Sequence, residues 1–439
     1  MFNKHYATEY IELIRRDPKL YYDDYLKLKD DVAHSNAIYK DKPVPVTYQG
    51  LFYDAADRKA LDDISKRLMD LTKKVVNAYL EDSEYRKLFG FSPQLEALIL
   101  HDPGYDIDVP MARYDIFYNG GENYKFIEFN TDGSSAMNKD NTVGDLLLET
   151  KGMKAFGERY TLENVDLFTP WIQASTSIYE SRYHRKPNIA IVDFLDIGAT
   201  YEFKKFKWLF EAAGYTCDIF DIRDLTYKDG KLMGGDYVID MVYRRVVTAE
   251  YMKVYDTLAD FTQAYLDNAF MMIGSFRSQI MHTKLIFHIL HHPMTMALLS
   301  DEEQHFVKAH IPFTDHLNEA TLGNVLEDKD RWIIKPIDDY AGHGVYAGKS
   351  FTQKEWEDLV RDAATRPSIY QEYYAMDPLP FVEFNDDGEL EVHGFSAVMG
   401  LFIYNGTFIA PYTRIGYDAT VGGADKHYVA PNILIQPKA

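Results

Sequence analysis

The chain contains a single cysteine, Cys217, and no apolar run close to 18 residues in length. One cysteine cannot form an intramolecular disulfide bond, and the first ten residues, MFNKHYATEY, lack the apolar segment of a secretory signal peptide. A transmembrane helix would need an apolar run of about 18 residues or more. These absences predict a soluble, cytoplasmic protein.

Positive charge is also scarce. Lys and Arg total 47 against 68 Asp and Glu, which gives a formal net charge of -21 at pH 7. This balance repels nucleic acids and anionic membranes unless basic residues cluster locally, and the sequence shows no basic patch. We therefore expect neither a nucleic acid nor a membrane as a partner.

The chain is long, and its pattern changes along its length. Its 439 residues exceed what one hydrophobic core usually spans, so we expect two or three coupled lobes. Residues 1–100 have a polar, helical pattern in which apolar residues recur at spacings of three and four. The clearest such set is Leu61, Ile64, Leu68, Leu71 and Val75. This pattern indicates packing and carries no chemistry.

The rest of the chain divides into an α/β part and a β part. Between residues 186 and 248, a strand (KPNIAIVDF), a helix ending at Gly214, a second strand and GDYVIDMVYRRV predict a parallel α/β lobe. A mostly helical stretch follows, including SQIMHTKLIFHILHH. From residue 331 the pattern is β, and Asn405-Gly406 between alternating apolar runs predicts a hairpin.

Residues 114–133, YDIFYNGGENYKFIEFNTDG, are typical of two strands joined by a Gly-rich turn, with acids concentrated on them. If Asn119 pairs with Tyr124 across a four-residue loop, Asp115 lies opposite Glu128. The same register places the residues two positions away, 113 and 130, opposite each other. A loop one residue longer would send the pairs to opposite faces. We adopt the four-residue loop.

In that register two carboxylates lie about 5 Å apart at Cβ, where like charges destabilise a hairpin unless a cation lies between them. A hard divalent cation suits carboxylate and amide oxygens, so Asp115, Glu128 and Asn130 are candidate Mg2+ ligands. Arg113 would lie beside them, where a guanidinium can hold phosphate or carboxylate oxygens. The alternative is a solvated hairpin face with scattered charges.

A second candidate is WIIKPIDDYAGHGVYAG, in which Lys335 ends a strand and Gly342 and Gly344 lie in the following loop. The lysine supplies a point charge, and glycines let backbone N–H groups approach phosphate oxygens. The stretch is neither a Walker A loop nor a dinucleotide-binding fingerprint. It is consistent with a phosphate clamp of another kind.

Two further cations have open interpretations. Lys284 lies in a predicted apolar helix, HTKLIFHILHH, where it either contacts a ligand or extends its ammonium group to solvent. The histidines of this stretch favour packing over a zinc site, because adjacent helical residues point about 100° apart. Arg414 ends a strand in an aromatic context and is either structural or faces an anion.

Together these stretches resemble the circularly permuted ATP-grasp ligases typified by the synthetase domain of glutathionylspermidine synthase. The resemblance lies in the order of short motifs: R-x-D and E-x-N on a hairpin, a Rossmann-like lobe ending in V-Y-R-R, a helix lysine, a K-P strand with a Gly-rich loop, a Q-E strand and a late arginine. It covers residues 40–431, nearly the whole chain.

The resemblance implies roles for the matching residues. Asp115, Glu128 and Asn130 would be the Mg2+ ligands, Arg113 would lie near the transferred phosphate, and Arg414 would steady an acyl phosphate. The implied nucleotide-binding residues are Lys284, Lys335, Gly342, Gly344, Gln371 and Glu372. Of these, the lysines would hold the ATP phosphates, the glycines would belong to a mobile lid, and the Q-E pair would lie at the adenine pocket.

The implied fold class is α/β with α+β lobes, namely a circularly permuted ATP-grasp fold with a Rossmann-like lobe. Residues 1–185 would form a helical N-terminal region plus the metal-binding hairpin. Residues 186–275 would form the Rossmann-like lobe. Residues 276–439 would form the nucleotide-binding lobe, with its lid and C-terminal hairpin.

The implied reaction is ATP-dependent amide formation between a small-molecule or peptide carboxylate and an amine, through an acyl phosphate, with ATP and Mg2+ as cofactors. An ATP phosphotransferase acting on a hydroxyl group and a catalytically degenerate nucleotide-binding protein are the alternatives. The stretch after E-x-N, NTDGSSAMN, lacks the acidic, proline-containing sequence common in the family. Glutathione and spermidine specificity is therefore not carried over.

Overall fold

The structure is a computed structural model that describes residues 4–39, 42–197, 200–337, 344–417 and 427–438. The α-helices in these ranges are α1 (Lys4–Ile14), α2 (Pro18–Ala33), α3 (Ala55–Glu81), α4 (Ser83–Arg86), α5 (Pro93–Leu100), α6 (Met137–Leu148), α7 (Lys151–Phe156), α8 (Phe168–Tyr183), α9 (Thr200–Ala212), α10 (Thr248–Lys253), α11 (Ala259–Leu266), α12 (Gln279–His282), α13 (Ile286–His291), α14 (Pro293–Met296), α15 (Asp301–His310), α16 (Leu322–Glu327) and α17 (Gln353–Ala363).

The strands in the same ranges are β1 (Ile38–Tyr39), β2 (Lys42–Pro43), β3 (Leu51–Tyr53), β4 (Met111–Tyr118), β5 (Tyr124–Asn130), β6 (Tyr160–Asn164), β7 (Asn188–Asp193), β8 (Thr216–Asp221), β9 (Thr226–Lys228), β10 (Lys231–Gly234), β11 (Tyr237–Ile239), β12 (Met241–Arg244), β13 (Met271–Ile273), β14 (Thr314–His316), β15 (Trp332–Pro336), β16 (Tyr346–Ala347), β17 (Ser368–Glu372), β18 (Leu379–Phe384), β19 (Leu390–Tyr404), β20 (Thr407–Gly416), β21 (Tyr428–Ala430) and β22 (Asn432–Pro437). They form a mixed α/β structure with several sheets.

The largest sheet pairs β4 and β5 with strands from the C-terminal part of the chain. Its order is β21-β20-β19-β4-β5, with β18 also paired to β19, and all its strand pairs are antiparallel. The predicted hairpin between β19 and β20 is confirmed, because Asn405 and Gly406 both have positive φ at its turn, 46° and 79°. This left-handed backbone suits the right-handed twist of the paired strands. The sheet brings the β4–β5 hairpin next to strands that follow it by almost 300 residues.

A four-stranded sheet in the order β13-β12-β7-β8 is parallel throughout. The parallel α/β arrangement predicted for this region is therefore present. The stretch GDYVIDMVYRRV, however, is not one strand, because β11 belongs to a small antiparallel sheet with β10 and β9 while β12 belongs to the parallel sheet. The short strand β13 was not predicted, since three residues are too few to show a pattern.

The remaining large sheet, β14-β17-β15-β16, is antiparallel and has its own small core. Helix α17 packs there through Trp356 and Val360, which are fully buried. The β pattern assigned from residue 331 onward overlooked this helix. Its start carries a capping box, in which Thr352 and Glu355 satisfy each other's backbone N–H groups, and this signature was readable in the sequence.

Helix α3 confirms the N-terminal helical pattern, and its apolar residues at spacings of three and four belong to the main core. Asp54 caps this helix through a capping box with Asp57. The C-terminal strand β22 pairs with β3 and with β6, so the last strand is held by N-terminal segments. No helix in the described ranges has both the length and the apolar character needed to cross a membrane.

One helix prediction was wrong. The stretch SQIMHTKLIFHILHH contains two short helices, α12 and α13, and Lys284 lies in the break between them. Its backbone N–H donates to the carbonyl of Ile337 at 3.4 Å, so this residue bonds to the segment after β15 instead of continuing a helix. Because Lys284 lies outside both helices, helical periodicity does not set the direction of its side chain.

Candidate active site

The acidic hairpin has the predicted cross-strand pairs but not the predicted turn. Asp115 is paired with Glu128, and Arg113 with Asn130. The pairing nearest the turn is Tyr118 with Tyr124, which leaves a five-residue loop. A register shift between Asp115 and residue 116 compensates for the extra residue, as a β-bulge does. Both carboxylates therefore lie on the same face of the sheet.

Asp115 is fully buried and is held by two arginines from different strands. Arg113 donates from Nε at 2.8 Å and from one terminal nitrogen at 3.2 Å, and Arg414 on β20 donates at 2.7 Å. A carboxylate can accept these bonds and still offer a lone pair, since its two oxygens provide about four acceptor sites. The predicted site residues Arg113, Asp115 and Arg414 thus meet in one cluster.

The close approach of Arg113 to β19 requires a glycine. Gly400 on β19 is paired with Asp115. A Cβ at position 400 would lie 2.7 Å from the side chain of Arg113 and 2.8 Å from Oδ1 of Asp115. This requirement was not visible in the sequence, because it depends on which strand pairs with β4.

Glu128 faces the two predicted phosphate lysines. Its carboxylate lies 3.3 Å from Nζ of Lys284. Burial alone would raise the pKa of Glu128, but the charges of Lys284 and Lys335, followed by the two arginines, lower it to about 2. Glu128 is therefore ionised at neutral pH and ready to ligate a cation.

Lys335 links the sheet of β15 to the acidic hairpin. Its Nζ donates to the carbonyl of Ile127 at 2.8 Å and to Oε1 of Gln371 at 2.7 Å. Gln371 in turn donates to Thr314 at 2.9 Å. Burial lowers the pKa of Lys335 to about 8, although Glu128 opposes the shift. Gln371 therefore lies beside Lys335, the residue predicted to hold phosphate.

The other predicted residues are placed as follows. Glu372 lies 3.6 Å from Arg331 in a half-exposed ion pair. Asn130 has a buried amide nitrogen with no hydrogen-bond partner in the described part of the chain. Gly344 has φ of 69°, and a Cβ there would also lie 2.8 Å from Pro336. Gly342 lies outside the described residues.

Asp132, which the sequence placed among the concentrated acids, has a separate structural role. Its carboxylate is buried and accepts from the guanidinium of Arg244 and from the backbone N–H of Thr248. Burial opposes ionisation, but Arg244 and the other nearby donors lower the pKa of Asp132. This ion pair ties the end of β5 to the carboxyl end of β12.

A small pocket lies at the carboxyl ends of the parallel strands β12 and β13, and Gly133, Ser134, Tyr243, Arg245 and Gly274 are among its lining residues. Open α/β sheets commonly bind ligands at this end of their strands. The guanidinium of Arg245 donates at 3.0 Å to Glu202, and both side chains are buried. The motif V-Y-R-R marks this place in the sequence, but the motif alone gives neither arginine a role.

Two residues that lie near Arg113, namely Lys139 and Tyr412, were not identified from the sequence. Lys139, on the first turn of α6, has its Nζ 5.8 Å from the ring centroid of Tyr412. Cζ of Arg113 lies 5.5 Å from the same ring. No local pattern around position 139 indicates this contact, because it joins the start of a helix to β20.

Comparison with known proteins gives a fold but little sequence similarity. No protein-family model matches the chain, and no curated protein matches it in sequence. A glutathione synthetase-like effector from Globodera pallida superposes with a TM-score of 0.58 at 11% identity, covering 95% of this chain and 98% of the effector. The overall fold of this chain is therefore similar to that of the glutathione synthetase-like effector.

Two further solved structures superpose with lower TM-scores. A putative gamma-glutamylcysteine synthetase from Methylobacillus flagellatus gives a TM-score of 0.34 at 10% identity, with 83% of each chain covered. A D-alanyl-alanine synthetase A from Vibrio cholerae gives a TM-score of 0.27 at 10% identity, covering 48% of this chain and 68% of that one.

Within this fold, the site is suited to an oxyanion. Among the residues that the structure describes, the cations Arg113, Arg414, Lys284 and Lys335 lie around two carboxylates, Asp115 and Glu128. The local positive charge contrasts with the net charge of -21 for the chain. A polyanion bound here would gain several charge-assisted hydrogen bonds in partly buried surroundings.

Proposed function

We propose that the chain is an ATP-dependent ligase that joins a carboxylate to an amine through an acyl-phosphate intermediate. The observation that carries this proposal is the convergence of Lys284 and Lys335 on Glu128, which lies opposite the arginine-bound Asp115. These residues come from separate parts of the chain and meet on one face. The fold shared with the glutathione synthetase-like effector supports the same conclusion.

Each cation has a place in this reaction. Lys284 and Lys335 would hold the nucleotide phosphates, with Gln371 fixing the position of the Lys335 ammonium group. Arg113 and Arg414 would stabilise the negative charge on the phosphoryl group and on the acyl phosphate. Such preorganised charges account for most catalysis of phosphoryl transfer, because the protein performs little covalent chemistry itself.

The donor set also fits the implied magnesium ion. Asp115 and Glu128 are adjacent on one face, Glu128 is ionised, and Asn130, two residues further along β5, presents its amide group on the same face. No three His, Cys, Asp or Glu side chains group as a metal site in the described ranges, so the set would comprise two carboxylates and an amide. Mg2+ bound there would neutralise charge on the nucleotide phosphates.

The chemistry at the substrate is simple. A carboxylate oxygen attacks the γ-phosphate of ATP, giving an acyl phosphate and ADP, and the amine then displaces phosphate to give the amide. The arginines would keep the reacting groups in line, and exclusion of water would protect the intermediate from hydrolysis. No serine or cysteine nucleophile is needed.

The finer architecture follows from the same proposal. The β4–β5 hairpin completes a sheet with β19 and β20, which supports a circularly permuted ATP-grasp core. The parallel sheet supports a Rossmann-like lobe at residues 186–275, between an N-terminal part at 1–185 and a nucleotide-binding part at 276–439. The proposed activity is of the glutathionylspermidine synthase type, without that enzyme's specificity for glutathione and spermidine.

The test is trapping of the acyl phosphate. The chain is incubated with Mg-ATP, a panel of carboxylic acids and hydroxylamine, and both hydroxamate formation and ADP release are measured. A ligase forms hydroxamate only with ATP and an accepted acid. ADP release stimulated by alcohols instead would indicate a phosphotransferase. Tight binding of a non-hydrolysable ATP analogue without turnover of any acid would indicate a nucleotide-binding protein.

A further inference from the structure

A third cation stands beside the two arginines, on a helix that the proposed mechanism does not use. Lys139 belongs to the first turn of α6 and lies near the ring of Tyr412, as Arg113 does. Tyr412 and Arg414 are two residues apart on β20, so their side chains lie on the same face of the sheet. The side chains of Lys139, Arg113, Arg414 and Tyr412 thus form one group, here called the Lys139 cluster.

The Lys139 cluster extends away from the nucleotide lysines. The charges of Lys284 and Lys335 lower the pKa of Glu128 the most, and the charges of the two arginines lower it further. The charges of the two arginines lower the pKa of Lys139, and those of Glu202 and Asp140 oppose this shift. The arginines are the neighbours that the two groups share. Lys139 lies near Tyr412 on β20 and Lys284 lies near Glu128 on β5, and the strands β19 and β4 lie between these two strands in the sheet.

Polar atoms of the Lys139 cluster lack partners in the described part of the chain. The hydroxyl group of Tyr412 and Nε of Arg414 are buried and make no hydrogen bond there. Tyr412 is 1% exposed. An unsatisfied buried donor costs free energy, and a bound ion or ligand is one way in which it gains a partner. Lys139 and Arg414 are partly exposed, which leaves access for a ligand.

Asp115 is the counterion of both arginines in the cluster, and two further acids, Asp140 and Glu202, influence the pKa of Lys139. Asp140 is 3% exposed, and burial raises its pKa well above the ordinary value. Glu202 is already bonded to Arg245 and to the backbone N–H groups of Ala136 and Asn138. Burial and the two arginines lower the pKa of Lys139 to about 7, so a bound anion would favour its charged form.

We infer that Lys139, with the Tyr412 hydroxyl group and Arg414, binds the oxyanion of the donor substrate, first as its carboxylate and then as its acyl phosphate. The inference rests on the proposed ligase function and adds a substrate-binding residue to it. ATP would approach from Lys284 and Lys335, and the donor from Lys139, so the two anions would meet at the arginines. Lys139 is then a determinant of donor affinity and not of nucleotide affinity.

Inorganic phosphate is the probe for this site, because it is an oxyanion available whatever the natural donor is. Its binding is measured by calorimetry at low ionic strength, with and without Mg-ADP, for wild type, Lys139→Met and Lys139→Arg. Lys139→Met should weaken phosphate binding about tenfold or more, as expected from losing one charge-assisted contact. Lys139→Arg should restore most of it. Lys151→Met, at an exposed lysine in α7, is the matched control and should have no effect.

Folding is monitored by thermal unfolding. Methionine keeps the length of the side chain and removes repulsion from the arginines, so the Tm of Lys139→Met should equal or exceed that of wild type. Wild type that binds no phosphate, or a Lys139→Met variant that binds it as tightly as wild type, would overturn the inference.

Failure of the ligase proposal gives a different result. A non-hydrolysable ATP analogue is titrated into the same variants, and Lys139→Met should bind it as wild type does. Phosphate binding through Lys139 without any binding of the ATP analogue would overturn the nucleotide-dependent function and leave an oxyanion site. Equal weakening of phosphate and analogue binding would place Lys139 in the nucleotide site and contradict the inference.

Discussion

The guanidinium group of Arg414 donates to the carboxylate of Asp115 at 2.7 Å, although 299 positions separate the two residues in the chain. Arg113 also donates to the same fully buried carboxylate. The arrangement holds two cations at a fixed place without a ligand. It also means that the proposed substrate-binding arginines depend on one acid for their position.

Removing that acid should destabilise the protein strongly. Asp115→Asn leaves two guanidinium groups without their buried counterion, so we expect a loss of about 3–5 kcal/mol in the free energy of unfolding by urea. Asp63→Asn, which removes the acid of the exposed Lys59–Asp63 pair, should change it little. In the double variant Asp115→Asn/Arg414→Gln the losses should be less than additive. Additive losses would contradict a direct coupling.

Glu128→Gln should preserve the fold and abolish turnover. Glutamine has nearly the same shape but neither the charge that faces Lys284 nor the ability to ligate a cation strongly. We expect ATP turnover with an accepted acid and amine to fall by about 100-fold or more. Glu122→Gln, at an exposed position on the loop of the same hairpin, is the control and should keep full turnover. Unchanged turnover in Glu128→Gln would remove this residue from the site.

Gly400→Ala tests the close contact between β19 and the arginine cluster. A methyl group would overlap Arg113 and Asp115, so we expect a loss of about 1–3 kcal/mol in stability, together with lower turnover. Gly323→Ala is the matched control, because nothing lies within 4 Å of a Cβ there. The control should be neutral or slightly stabilising, since alanine favours a helix. Equal behaviour of the two variants would show that Gly400 is not constrained.

The pH dependence of stability should reveal Asp193, which ends β7 and is 8% exposed. Burial raises its pKa from 3.8 to about 6, against the opposing charge of Arg245. The folded state then holds a proton that the unfolded state has lost, so this carboxyl group makes the protein progressively less stable between pH 4 and 6. The cost levels off above pH 6 at about 3 kcal/mol.

Asp193→Asn removes this titration. The difference in unfolding free energy between the variant and wild type should be near zero at pH 4 and should favour the variant by up to about 3 kcal/mol at pH 7. Asp236→Asn, at an exposed position, controls for the substitution itself. A difference that stays constant from pH 4 to pH 7 would contradict the raised pKa of Asp193.

Local patterns in the sequence determined several of the helices and strands, and they determined which side chains of the hairpin share a face. The spacing of apolar residues fixed α3, the Asn405-Gly406 turn fixed the β19–β20 hairpin, and the period of two placed Asp115 on the same face as Arg113. Such signals are readable because each arises from backbone geometry repeated over a few residues. An acidic, arginine-bearing hairpin can therefore be predicted from the amino-acid sequence alone.

Only the tertiary structure decided how these elements meet. The pairing of Asp115 with Glu128 depends on a β-bulge that offsets a turn one residue longer than predicted. A hairpin with both features and a hairpin with neither have the same pairing at Asp115, and no local sequence pattern distinguishes them. The contacts of Asp115 with Arg414 and of Lys139 with Tyr412 depend on the order of strands and on where α6 begins. These contacts form only when the strands and α6 pack together, because burial is a property of the packed chain that no short segment carries.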